Sequence, residues 1–266
     1  MRLNSNALRR LSYRSALAYY LYERMNYDHR VLARHDEPNH DLINRAVREL
    51  RVNGTAILPG FYDATYADQL QSKLLELNQE VAAGQIPPNS NLYCEDISFS
   101  DALFPKGIVR VHNVDQWSGL VKRFADEPLF MRIGELVCGT PLLRKTTISQ
   151  YNERGGSADW HMDYYANPFK AFLYVTDVAA ENGPLITLPG SHALNRSNMR
   201  RIYLHLDGRE ISQTDVIKSG YLPTTHPVPK GSVILLDTRL IHQGGHVLSG
   251  FRIVLANYYW ENRAGA

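Results

Sequence analysis

Apolar residues recur at helical spacing through the first half of this 266-residue chain and gather into short β-branched and aromatic runs in the second half. From Leu8 to Met25, the residues Leu8, Leu11, Ala18, Tyr19, Tyr22 and Met25 alternate with arginines at loosely helical spacing. This predicts an N-terminal helix with a solvated basic side, the alternative being a helix for a membrane surface or an acidic partner. Asp41 to Val52 predicts a second helix, with Leu42, Ile43, Ala46, Val47 and Leu50 on one side and Gly54 as its stop, followed by a short strand over Thr55 to Pro59. Asp63 is placed as the N-cap of a long helix carrying Tyr66, Leu70, Leu74 and Leu77 on one face, ended by Gly84, Pro87 and Pro88. Pro87 to Lys106 has little periodicity. Helical spacing returns from Val114 to Phe124 and from Pro128 to Val137, stopping at Gly139.

Beyond Pro141 the pattern predicts strands over Thr146 to Tyr151, Phe172 to Thr176, Leu185 to Leu188, Val233 to Leu236 and Ile253 to Tyr259. Helices first and short strands later make an α+β chain with an all-β core. The expected organisation is a helical extension over residues 1–40, one domain over 41–266, and a polar, mostly irregular lid insert at 192–229.

Composition narrows the function classes. With 44% hydrophobic residues the chain can build a core without metals or disulfides. Lys and Arg number 29 against 27 Asp and Glu, a near-balance that argues against a nucleic-acid partner. Cys94 and Cys138 are far apart and read as two reduced thiols. The first 26 residues contain no unbroken apolar run, so a soluble, cytoplasmic protein without a membrane span is expected.

The chemistry is concentrated in Trp160, His161, Met162 and Asp163. On an extended strand residues i and i+2 share a face, so His161 and Asp163 can reach one metal ion together. His242, just after the apolar run Ser232 to Leu236, can supply a second imidazole. Two histidines and one carboxylate leave coordination positions open, as non-haem iron oxygenases require. Arg252 lies ten residues after His242 on the next strand pattern, where a guanidinium can point inward and pair with a carboxylate through two hydrogen bonds. Gln150 and Asn152, two apart on the preceding strand, share a face and can line the same pocket.

Taken together, these pieces resemble the phytanoyl-CoA dioxygenase family, from about Val52 to Tyr259. The carriers are Asn53 to Phe61 (Asn-Gly-Thr-Ala-Ile-Leu-Pro-Gly-Phe), Trp160 to Asp163, Glu181 to His192 (Glu-Asn-Gly-Pro-Leu-Ile-Thr-Leu-Pro-Gly-Ser-His) and Asp237 to Arg252. The resemblance implies a double-stranded β-helix, a cupin-like jelly-roll barrel with flanking N-terminal helices. It further implies Fe(II) on His161, Asp163 and His242, and 2-oxoglutarate with its distal carboxylate on Arg252. Tyr174 falls where the family has an aromatic residue lining the 2-oxoglutarate pocket, and Arg110 near a basic residue that contacts this co-substrate. His246 competes with His242 for the metal, and the ten-residue family spacing to Arg252 favours His242. His192 reads as structural or rim, and His112, His205 and His226 as surface or rim histidines.

The implied reaction consumes dioxygen and 2-oxoglutarate, with ascorbate as a supporting reductant, and hydroxylates an unactivated C–H bond with release of succinate and CO2. Related halogenases carry Gly or Ala at the carboxylate position, so Asp163 favours hydroxylation; desaturation, epoxidation and cyclisation remain open. Arg196, Arg200, Arg201, His205, Arg209 and Lys218, against Asp207, Glu210 and Asp215, point to a small anionic substrate under the lid. The competing readings are a metal-binding barrel acting as a sensor or interaction module, and a cupin-type hydrolase or isomerase.

Overall fold

The computed structural model of the protein describes residues 15, 17–18, 40–83, 85, 93–96, 108–156, 158–163, 168–193, 198 and 210–262. The helix read over Leu8 to Met25, the stop at Gly84, Pro87 and Pro88, His205 and all four arginines of the expected lid lie outside the described residues.

Helix α1 (His40–Asn53) buries Ile43, Ala46, Val47 and Leu50, the stripe its spacing predicts. Gly54 follows at φ +81°, a left-handed turn that swings the chain into strand β1 (Thr55–Leu58). The Asp63 carboxylate accepts from the Tyr66 amide at 2.8 Å and caps α2 (Ala64–Ala82), whose Leu70, Leu74 and Leu77 are fully buried. Strands β2 (Tyr93–Asp96) and β3 (Ile108–His112) come next. Helices α3 (Gly119–Ala125) and α4 (Pro128–Cys138) precede the long strand β4 (Leu142–Glu153). The remaining elements are β5 (Phe169–Tyr174), β6 (Leu185–Thr187), α5 (Gln213–Lys218), β7 (Thr224–His226), β8 (Val233–Asp237), β9 (His242–Gly244) and β10 (Phe251–Glu261).

Two antiparallel sheets result, one of seven strands in the order β1-β8-β5-β10-β4-β3-β2 and one of three in the order β7-β6-β9. The architecture is the expected α+β jelly roll, formed as two sheets rather than a closed barrel. Period-two alternation gives the large sheet two chemically different faces. On β10, Ile253, Leu255 and Tyr259 pack with Leu50, Leu70 and Phe124 in the helix-side core. Arg252, Val254, Ala256 and Tyr258 line a cavity on the other face. The helices thus hold the sheet through one face, and the other can carry polar groups.

Several local readings are corrected. The helix expected over Val114 to Phe124 is two pieces, a 3-10 turn (Val114–Gln116) and α3, because Ser118 is extended (φ −142°, ψ 131°) and caps α3 through its hydroxyl. Arg144 on β4 ties both pieces down through Asp115 at 2.9 Å and Asp126 at 3.1 Å. β4 outruns its predicted span because β10 pairs with it from Glu153 to Leu142. β2, β3, β7 and β9 were not foreseen: each is five residues or fewer, and pairing rather than pattern defines them. The second half of the stretch read as a lid insert holds α5 and β7, and β7 is an edge strand of the small sheet. His112 and His226 are buried rather than at the surface or rim, His226 with its Nε2 2.8 Å from the Thr187 hydroxyl. Cys138 is in no disulfide among the described residues, and the side chain of Cys94 lies outside the description. Among the described residues no helix is long and apolar enough to cross a membrane.

Candidate active site

Residues 158–163 run antiparallel to residues 238–244, although they form isolated bridges rather than the regular strand predicted for them. His161 N donates to His242 O at 2.9 Å and His242 N to His161 O at 3.0 Å. Asp163 N donates to Thr238 O at 3.1 Å, and Ala158 N to Gly244 O at 3.0 Å. This backbone ladder brings the imidazoles of His161 and His242, 81 residues apart in sequence, to a centroid separation of 4.3 Å.

The turn that delivers His242 is pinned from below. Asp237, fully buried, accepts from the Arg239 amide and from its Nε, both at 3.0 Å, and from Nη2 at 2.6 Å. The Ser191 hydroxyl accepts from the Ile241 amide at 2.9 Å, and His192 reaches the Arg51 carbonyl at the end of α1. The Pro-Gly-Ser-His segment therefore acts as a clamp, and His192 is structural. Gly183, at φ +72°, lets the Asn-Gly-Pro-Leu turn lie against Gly245, where an added Cβ would meet the Gly245 carbonyl oxygen at 2.4 Å.

One nitrogen of each imidazole is committed to the backbone. His161 Nδ1 lies 2.7 Å from Asp159 O and His242 Nδ1 lies 2.8 Å from Leu240 O, so in each ring Nδ1 carries the proton. Both Nε2 lone pairs are left to face Asp163, whose Oδ1 lies 3.9 Å from His161 Nε2 and whose Oδ2 lies 3.8 Å from His242 Nε2. Ligand atoms of the three residues all fall within 4.8 Å of one another, close enough to meet at one ion. Burial holds the His161 ring below the usual imidazole range, and burial together with the neighbouring His161 pushes His242 down to about 3. Neutral imidazoles are what metal ligation needs. Burial alone would raise the Asp163 carboxyl; Lys170 and the two imidazoles more than offset it and hold the carboxyl below its ordinary value. His246, the competing histidine, is exposed and outside the cluster.

A cavity of about 300 Å³ opens beside the triad, lined by Arg110, Gln150, Lys170, Tyr174, Arg252 and Tyr258 among others. Arg252 is 3% exposed, and its Nε has no hydrogen-bond partner. Burial pushes the guanidinium below its ordinary value. A buried cation facing a cavity with an unsatisfied donor fits a bound carboxylate. Tyr174, 3% exposed, stands next to it across β5 and β10. Arg110 Nε donates to Gln150 Oε1 at 3.0 Å, and Gln150 Nε2 donates to Asn152 Oδ1 at 2.8 Å. Gln150 and Arg110 reach the cavity; Asn152, fully buried behind Gln150, does not line it.

Sequence reasoning missed Lys170 and Tyr258. The alternation of Phe169, Lys170, Ala171, Phe172, Leu173 and Tyr174 puts Lys170 on the same face as Tyr174, a signal that was legible in the chain. Tyr258 was legible in the same way, since Arg252, Val254, Ala256 and Tyr258 alternate onto one face of β10 and the register shift falls only beyond it, between Tyr258 and Tyr259.

This fold, with two imidazoles, one carboxylate and a buried guanidinium on a shared cavity, defines the class of 2-oxoglutarate-dependent non-haem iron oxygenases. The phytanoyl-CoA dioxygenase family model matches residues 50–254, and the chain belongs to that family. It is accordingly an iron(II)- and 2-oxoglutarate-dependent dioxygenase. No curated protein matches the chain in sequence.

Solved structures resemble it in fold. EctD from S. alaskensis, solved with 2-oxoglutarate and 5-hydroxyectoine, aligns at TM-score 0.64 and 17% identity, covering 86% of this chain and 80% of that one. The non-heme alpha ketoglutarate dependent carbocyclase SnoK from nogalamycin biosynthesis aligns at TM-score 0.63 and 18% identity, covering 81% and 83%. The epimerase SnoN in complex with Fe3+, alpha ketoglutarate and nogalamycin RO aligns at TM-score 0.60 and 18% identity, covering 83% and 84%.

Proposed function

We propose that His161, Asp163 and His242 hold Fe(II), that Arg252 beside Tyr174 anchors the distal carboxylate of 2-oxoglutarate, and that the enzyme hydroxylates a C–H bond of a small anionic metabolite. The observation that carries this reading is the shared cavity: two Nε2 lone pairs and a carboxylate oxygen lie at one wall, and a buried guanidinium with a vacant donor at another.

Bound iron with 2-oxoglutarate supplies the oxidising power from dioxygen, giving succinate and CO2. The chain's own part is positional. The carbonyls of Asp159 and Leu240 fix the two imidazole tautomers. The Arg252 guanidinium would hold the distal carboxylate of the co-substrate and so orient it, since its planar fork suits a carboxylate. Gln150, held by Arg110, offers an amide at the same wall, and the apolar side chains of Phe172, Leu185 and Val254 exclude water. Asp163 offers a carboxylate where related halogenases carry Gly or Ala, which supports hydroxylation.

The cavity is at the lower end of the range of about 300–1,000 Å³ for small-molecule sites, which supports a small substrate. Its anionic character is supported by the excess of basic residues in the sequence of 192–229 and by Arg110 at the cavity wall; in the described part of that segment the charged group that lines the cavity is Glu210. Ile211 N donates to Trp160 O at 2.6 Å, and Glu210 bridges to His161.

The test is to load the protein anaerobically with Fe(II) and 2-oxoglutarate, add small phosphates and carboxylates in turn, admit air, and measure succinate. A matching substrate is expected to stimulate succinate release and to gain one oxygen atom. A product lacking that oxygen would overturn hydroxylation, and stimulation by neutral or cationic compounds alone would overturn the anionic class.

Gly244 offers a graded check on the Arg252 assignment. A Cβ there would stand 3.2 Å from Arg252 Nη2 and 3.7 Å from Ala158 Cβ. Crowding of this kind costs about 1–3 kcal/mol, so Gly244→Ala is expected to raise the KM for 2-oxoglutarate roughly tenfold or more with a smaller change in kcat. Steady-state succinate kinetics at varied 2-oxoglutarate would read it.

A further inference from the structure

Lys170 is a charge on the inner face of β5 that the proposed function leaves without a task. Its side chain is 5% exposed, and its ammonium lies 4.3 Å from the Tyr258 ring centroid and 5.8 Å from that of Phe172. It sits at the opposite end of the cavity-facing strands from Arg252: Lys170 pairs with Tyr258, whereas Tyr174 pairs with Val254. Four residues along a strand separate Lys170 from Tyr174, roughly 13 Å, so Lys170 is not a second arm of the Arg252 anchor.

Its Nζ instead donates to Asp163 Oδ1 at 2.6 Å. The two oxygens of that carboxylate therefore differ. Oδ1 is engaged by the ammonium; Oδ2 is buried, has no hydrogen-bond partner, and lies on the His242 side. A carboxylate beside a divalent cation can bind through one oxygen or two, and a second oxygen consumes a coordination position. A facial triad works only if its positions opposite the protein ligands stay open for the co-substrates.

We propose that Lys170 is a positioning residue that holds Asp163 as a one-oxygen ligand, engaging Oδ1 so that only Oδ2 is presented to the metal. This rests on the reading of His161, Asp163 and His242 as the iron site. Phe172 and Ala256 around it would accept an apolar side chain. Tyr258 also meets the ammonium, through its ring and a hydrogen bond, but a neutral phenol does not balance a buried positive charge, and Asp163 does.

The experiment compares the full chain with Lys170→Met and Lys170→Arg, loaded with Co(II) as a spectroscopic stand-in for Fe(II), and then with Fe(II) and 2-oxoglutarate without oxygen. Lys170→Met is expected to bind Co(II) at least as tightly as the parent, since a neighbouring positive charge is gone. Its Co(II) absorption spectrum should change toward higher coordination number, and its ferrous 2-oxoglutarate charge-transfer band should shift. Succinate formation should fall about 10–100-fold, the usual cost of losing a partner of a metal ligand. Lys170→Arg should restore the parent spectra. A Lys170→Met protein with parent spectra and parent turnover would overturn the proposal, as would one that lost only thermal stability. If Lys170→Met does not fold, Lys170→Gln decides by the same spectra, because it keeps a donor for Oδ1 without the charge: parent-like spectra support the proposal, and altered ones overturn it. A His161→Ala control separates the two claims: if it binds Co(II) as the parent does, the assignment of the triad fails rather than the role of Lys170.

Discussion

The Asp163→Ala protein is expected to lose turnover and a large part of its fold stability together, whereas His161→Ala is expected to lose turnover with only a small loss of stability. Both substitutions remove a donor from the triad, and with it the metal chemistry. They differ in what each leaves behind. Asp163 is the charge partner of Lys170, and the two side chains are only 12% and 5% exposed. Removing one member of a buried pair strands the other, at a cost of about 3–5 kcal/mol. His161 has a side chain that is 26% exposed and spends one nitrogen on the Asp159 carbonyl. Its loss should cost roughly 1 kcal/mol, the usual worth of one hydrogen bond. Denaturant unfolding of the metal-free proteins, beside succinate assays, would measure both effects. Equal stability of the two variants would remove the argument that Lys170 depends on Asp163.

For Arg252→Met the expected result is reversed: stability held or raised, and 2-oxoglutarate affinity lost. The guanidinium is buried with one donor unsatisfied, so in the absence of a ligand it is a burden on the fold that an apolar chain of similar length relieves. With 2-oxoglutarate present the same group supplies the only cation placed beside Tyr174 among the described residues, at the other end of the cavity-facing strands from Lys170. Truncating one partner of such a charge pair costs about 2–5 kcal/mol, roughly 30-fold to several-thousand-fold in affinity. Arg252→Lys should fall between, because a point charge replaces a planar fork. Titrating 2-oxoglutarate into the ferrous protein without oxygen, beside thermal melting, reads both quantities. Unchanged affinity in Arg252→Met would place the co-substrate elsewhere.

The two outcomes share one cause. The large sheet is anchored by its helix-side face, where Leu50, Leu70, Phe124, Ile253 and Leu255 pack, so the cavity face is free to hold charges that weaken the fold unless a ligand or a partner meets them. Arg252 awaits a ligand and Lys170 has a partner, and that difference sets the sign of each predicted stability change.

The sequence by itself determined a good deal. Helical stripes in α1 and α2 and the cap at Asp63 were legible because they depend on contacts within a few residues. The pair His161 and Asp163 was legible because two-residue spacing on extended chain is a local property. Family spacing between His242 and Arg252 chose His242 over His246, and the structure places His246 in solvent, away from the cluster.

Only the tertiary structure decided the rest. β7 and β9 are three residues long and exist because β6 pairs with both, so no pattern within them could announce a strand. The meeting of the two imidazoles, 81 residues apart, depends on a ladder between distant segments, held by Ser191 and Asp237. Asn152 shares a strand face with Gln150, yet the Gln150 side chain covers it, a matter of side-chain packing that alternation does not encode. Lys170 was visible as a residue but not as a partner, since its hydrogen bond to Asp163 requires β5 to lie beside the segment from His161 to Asp163. Spacing along the chain fixes which residues share a face; the pairing of distant strands fixes which faces meet, and the chemistry of this site arises where they do.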